Sequence, residues 1–183
     1  MIDLEVEPLD LGQDVRAVGL DLVEGLDREP VRGEDAARVW SNVLPAIAGK
    51  ELWVLDFFSH LDRVRDFCLA RKLQFREASK RSIVIPSLQG DALHDLFKRF
   101  ETETFGMRAG SKLETADSAL ENELAGKGVD AYRSAYPGYS SCAVCNFEDG
   151  SMVVLSEGLW ASEIVRRVRP ALNGLEVQVR LAA

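Results

Sequence analysis

Histidine and cysteine are scarce in this chain, two of the first and three of the second among 183 residues. His60 and His94 are therefore the only side chains whose ordinary pKa lies close to neutrality. Asp56 and His60 stand four apart across an expected strand-to-helix junction. His94 and Asp95 are sequence neighbours, and neighbours on a helix diverge. Neither pairing builds an acid–base dyad, and no G-x-S-x-G elbow supplies a nucleophile. Both histidines read as ordinary solvated or locally bonded side chains. Cys68, Cys142 and Cys145 cannot all pair with one another, so reduced thiols and a cytoplasmic location are expected. Cys142-Ala143-Val144-Cys145 has C-x-x-C spacing, but it falls on an expected strand, where residues three apart point to opposite faces. No second pair completes a zinc site. The thiols read as structural, with no metal.

Long apolar runs are missing as well. Leu52 to Leu55 is among the longest, far short of the roughly 20 residues that cross a bilayer. The opening Met1-Ile2-Asp3-Leu4-Glu5 lacks the basic start and apolar core of a secretory signal. No membrane association is expected. Phosphate loops are absent too. Gly126-Lys127-Gly128 has neither a preceding strand nor the full P-loop spacing, and Gly106, Gly110 and Gly138 form no G-x-G-x-x-G. No cofactor is expected.

What the chain does have is an uneven distribution of charge. Its net charge is −8. Residues 1–35 hold eleven acids against three bases, and the remaining residues hold nineteen of each, so the whole excess lies in the first fifth. An acidic segment keeps a protein soluble and can steer a basic partner. Asp10, Asp14, Asp21 and Glu24 are the candidate partner-binding residues. Binding to nucleic acid is disfavoured, because phosphate affinity rests on clustered Lys and Arg. One local basic cluster exists, Arg71, Lys72, Arg76, Lys80 and Arg81, offset by Glu77. Its structural explanation is the end of a helix, which favours cations. Its functional explanation is a phosphate or acidic-protein contact, or the acidic segment of a second copy in a homodimer.

The clearest architecture is in the last third. Ser141 to Phe147 and Ser151 to Ser156 read as strands joined at Glu148-Asp149-Gly150, where the Asp-Gly pair favours a tight hairpin. A helix from Leu159 to Leu172 and a strand from Leu175 to Leu181 follow, the strand alternating Leu175, Val177, Val179 and Leu181 with Glu176, Gln178 and Arg180. Earlier, Val15 to Val23 reads as a strand, Glu34 to Ala48 as a helix, and Glu51 to Phe58 as a strand. Ser59 with Asp62 resembles a capping box for a helix reaching Leu73. Ile83 to Ile85 forms a short strand that ends at Pro86, and Asp91 to Thr104 a helix. Residues 106–138 are weakly patterned, with a helix expected near Thr115 to Ala125. Trp40, Trp53 and Trp160 fall on apolar faces and read as core.

Val43-Leu44-Pro45-Ala46-Ile47-Ala48-Gly49 and Val168-Arg169-Pro170-Ala171-Leu172-Asn173-Gly174 share the pattern V-x-P-A-[I/L]-x-G at the ends of two expected helices. Each lies between strands, as two β-α-β-like units would place it. The expected fold is a single α+β domain over 1–183, a mixed, mostly antiparallel sheet with helices packed on it. It divides into an acidic N-terminal segment (1–35), a helical middle (59–127) set as an insertion between the two units, and a β-hairpin-helix-strand unit (139–181). The expected function is non-catalytic binding of another macromolecule, a basic protein, as an immunity-type neutraliser of a bacterial toxin would bind it. The alternative is a small enzyme or small-molecule binder with a site between the sheet and 106–138, where Tyr132, Tyr136 and Tyr139 supply polar-tipped aromatics.

Overall fold

A computed structural model describes residues 1–10, 16–48, 51–55, 61–79, 82–100, 104–109, 141–146, 150–156 and 160–182. The fold is α+β. Ten strands form one sheet: β1 (Ile2–Asp10), β2 (Arg16–Glu24), β3 (Glu29–Pro30), β4 (Glu51–Leu55), β5 (Arg76–Ser79), β6 (Ser82–Ile85), β7 (Thr104–Ala109), β8 (Ser141–Asn146), β9 (Ser151–Ser156) and β10 (Val177–Leu181). Their order is β10-β1-β2-β9-β8-β7-β4-β6-β5, with β3 paired to the end of β2. Among the described residues only the β1–β10 ladder is parallel. Among the described residues there are four helices: α1 (Gly33–Ala48), α2 (Leu61–Ala70), α3 (Asp91–Arg99) and α4 (Ala161–Ala171).

The strand directions explain where the helices lie. α1, entered from the short β3, links β2 to β4, α2 connects β4 to β5, α3 connects β6 to β7, and α4 connects β9 to β10. In every case the two strands run the same way in the sheet. The first two crossovers move toward the β5 edge on strands pointing one way. The other two move toward the β10 edge on strands pointing the opposite way. A common right-handed crossover therefore puts all four helices on one face. Their contacts agree: α1 packs on β7 and β8 and against α3 and α4, α2 on β6, and α4 on β1 and β10.

The register carries one row of positions across the sheet. Leu181, Val6, Leu20, Met152, Cys145, Phe105, Val54 and Ile83 are successive partners from β10 to β6. Val6, Leu20, Met152 and Ile83 belong to the core, together with Trp40, Val43 and Leu44 of α1, Leu93 and Phe97 of α3, and Ile164 and Val168 of α4. Helical spacing of these residues gives each helix its apolar stripe.

The expected elements are largely present, with four corrections. The helix expected to reach Thr104 stops at Arg99: Phe100 leaves helical geometry (φ −126°, ψ 43°), and Thr104 opens β7. The middle segment 59–127 contributes β5, β6 and β7 as well as α2 and α3, so it builds one edge of the sheet. β1 lies in the segment read only for its charge. Trp160 is 59% exposed, because the apolar stripe of α4 begins one residue later at Ala161. The expected helix at Thr115 to Ala125 and the three tyrosines lie outside the described residues.

The second β-α-β-like unit is a crossover between the parallel strands β9 and β10; the first links the like-directed β2 and β4 but enters α1 from the short antiparallel β3, and α1 and α4 touch. They differ in reach. The first skips β9, β8 and β7, the second skips β2 and β1.

Candidate functional site

The face of the sheet turned away from the helices gathers carboxylates at its β1–β2 end. Leu4 and Val6 point to the core, so strand alternation turns Asp3, Glu5 and Glu7 to the second face. In β2 the core positions Leu20 and Leu22 turn Gly19, Asp21 and Val23 the same way. The antiparallel register then sets Glu5 opposite Asp21, Glu7 opposite Gly19 and Asp3 opposite Val23. On the other side of β1, β10 sets Arg180 beside Glu5 and Gln178 beside Asp3. Glu5 begins a row of register positions that continues through Asp21, Ser151, Asn146 and Thr104.

Gly19 is what lets Glu7 join this group. A Cβ at position 19 would lie 3.3 Å from Glu7 Cγ and 3.3 Å from Leu9 Cδ1, so the Glu7 chain rests across the bare glycine backbone. Two arginines reach the row. Arg28, in the turn between β2 and β3, pairs with Glu5. It does so from a left-handed backbone (φ 56°), which an ordinary side chain adopts only when surrounding contacts hold it there. Arg180 lies 3.2 Å from Asp3 Oδ2 and donates a 2.9 Å hydrogen bond to Gln178 Oε1. Asp3 Oδ1 is buried without a hydrogen-bond donor.

Charge of one sign is therefore crowded and partly desolvated. Burial pushes the Asp21 carboxyl above its ordinary 3.8, the negative charges of Glu7 and Glu5 push it further, and Arg28 opposes them. No group of three or more potential ligands among the described residues could hold a metal ion. The carboxylates form a line rather than a chelate. Successive members along β1 stand about 6.8 Å apart, two residues of extended chain.

Of the residues expected to form the acidic face, Asp21 is in this group. Glu24 ends β2 on the opposite face, exposed. Asp10 ends β1 opposite Arg16, and Asp14 lies outside the described residues. Glu5 and Glu7 were missed as site residues; the alternation Ile2-Asp3-Leu4-Glu5-Val6-Glu7 is the signal that could have found them. In the basic cluster, Arg71 directly follows α2, pairs with Asp95 and stacks over Phe67 at 4.9 Å. Lys72 is exposed just beyond the helix, Arg76 is exposed in β5, and Lys80 and Arg81 lie outside the described residues.

The reactive residues are dispersed. Cys68 is buried in α2, and burial lifts its thiol to about 11, well away from thiolate chemistry. Cys142 and Cys145 stand three register positions apart in β8. His94 sits in α3 with Nε2 buried and without a hydrogen-bond partner among the described residues, while His60 lies outside them. No helix among the described residues is long and apolar enough to cross a membrane. Compared with known proteins, the chain matches no family model, no curated protein and no solved structure.

Proposed function

We propose that the protein acts by binding a basic segment of another protein along the Asp3–Glu5–Glu7–Asp21 row, without catalysis. The carrying observation is the crowding at Asp21, whose carboxyl is raised by burial and by Glu7 and Glu5. A site whose carboxylates repel one another gains when a cation is brought in. The spacing specifies the kind of cation. Side chains on one face of an extended peptide recur every second residue, the same period as Glu5 and Glu7 on β1. An extended segment with Arg or Lys at alternate positions matches that row. Occlusion of such a segment in a cytoplasmic partner is how an immunity-type neutraliser would work.

The test uses two synthetic peptides of one composition, one alternating Arg with Thr and one with its arginines in a block. The alternating peptide is expected to bind more tightly, with affinity falling as salt rises. Three ion pairs at these half-buried carboxylates, at about 0.5 kcal/mol each, predict roughly a tenfold loss for the triple variant Glu5→Gln, Glu7→Gln, Asp21→Asn. Neutralising Asp62, Asp66 and Asp91, exposed on α2 and α3, is the control. Equal losses in both variants, or none in the first, would remove the site.

A further inference from the structure

The two edges of the sheet are built differently. β5 carries the charged, exposed Arg76 and Glu77 and a register shift between Glu77 and Ser79, devices that discourage a further strand. β10 has no such shift and less charge. It is five residues, Val177 to Leu181, with no proline, glycine or bulge. Its single charge, Arg180, is turned toward Asp3 of its own chain. Leu181 is half exposed, and among the described residues no strand pairs with the outer edge.

The parallel ladder fixes which backbone groups that edge offers. Ala182 N–H donates to the Val6 carbonyl at 2.9 Å, so by alternation residues 178, 180 and 182 point their polar groups toward β1. Val177, Val179 and Leu181 then point theirs outward.

We propose that β10 is a self-pairing edge, joining a second copy of this chain antiparallel about a two-fold axis at Val179. In that register Val179 meets Val179, and Val177 meets Leu181. All three outward-pointing residues of each copy exchange both of their hydrogen bonds, and the apolar side chains pair on the helix-bearing side. Gln178 falls opposite Arg180 at the closer, non-hydrogen-bonded positions. Each arginine thus meets an amide oxygen of the second copy and keeps Asp3 of its own chain as counter-charge. A two-fold contact requires this self-complementarity. The backbone edge that pairs lies beside the carboxylate row, and the pairing does not depend on that reading.

Sedimentation of the full chain tests it with two variants. Val179→Pro removes an outward N–H that the ladder to β1 does not use, a position where an edge strand tolerates proline. Leu181→Lys places a charge on the half-exposed edge residue and perturbs the fold least. The wild type is expected to be a dimer and both variants monomers with unchanged circular dichroism. Amide exchange at Val177, Val179 and Leu181 should slow as concentration rises, while 178 and 180 stay slow throughout. A wild type that remains monomeric up to its solubility limit overturns the proposal, even if that edge accepts another protein's strand. So does a dimer that persists in folded Leu181→Lys.

Discussion

Asp21 carries a charge that its surroundings resist, and this sets the sign of its effect on stability. Its carboxyl is raised by burial, then by Glu7 and Glu5. A carboxyl raised on folding binds its proton more tightly in the folded state, so its contribution falls as pH climbs from its ordinary 3.8 through the raised value. At neutral pH the penalty is complete. Asp21→Asn is therefore expected to raise the melting temperature at pH 7, with the gain shrinking to nothing in acid; a variant that melts lower than wild type at pH 7 contradicts the crowding. Glu163 is the reverse case. Hydrogen bonds from Arg166 and Arg167 hold its carboxyl down to about 2, so its contribution is present above 4.5 and is lost as pH falls toward 2. A residue that weakens the fold at working pH yet sits among like charges is what a cation-binding row requires. The same substitution should stabilise the protein and weaken the basic peptide.

At the scale of elements, the β8–β9 hairpin depends on Gly150. Its φ is +65°, and a Cβ there would lie 3.1 Å from Pro30 Cβ and 3.2 Å from the Leu22 carbonyl. Gly150 O also accepts the 3.0 Å hydrogen bond from Leu22 N–H, which docks the turn on β2. Gly150→Ala combines a left-handed penalty with a backbone clash and should destabilise by about 1–3 kcal/mol in urea titration. A loss within error would mean that the turn relaxes freely. This hairpin was legible in the sequence because an Asp-Gly pair stands between two apolar runs. So were β10, α1 and α4, whose apolar periods are clean. β1 was hidden by its own charge. Every outward position from Asp3 to Glu7 is a carboxylate, and a count over 35 residues registers acidity while losing the period of two. β5, Arg-Glu-Ala-Ser, has no apolar pattern and is a strand only through its pairing with β6. Half of the site was similarly out of reach: Asp21 is a visible acid, but its opposition to Glu5 is a property of the β1–β2 register.

Across the whole molecule, the sequence tells little about strand order, because adjacency here joins distant segments. Residues 2–6 pair with 177–181, and β2 lies beside β9 rather than β4. Such a sheet cannot be completed until the last strand arrives, and its ladders tie early segments to late ones. α1 adds a second tie. It packs on β7 and β8, touches α3 toward one end and α4 toward the other, and buries Trp40, Val43 and Leu44 beneath it. Neither end of the sheet has a core that excludes α1. The molecule should therefore unfold as one unit, with tryptophan fluorescence and far-ultraviolet circular dichroism giving coincident urea transitions. Leu44→Ala, at a fully buried position, should destabilise by about 2–5 kcal/mol and lower both midpoints together. If the β4–β6–β5 end melted in a separate step, or Leu44→Ala moved one probe and left the other, α1 would be a lid on one half rather than the tie between two. The carboxylate row and the β10 edge would then belong to a smaller cooperative unit built on β1, β2, β9 and α4.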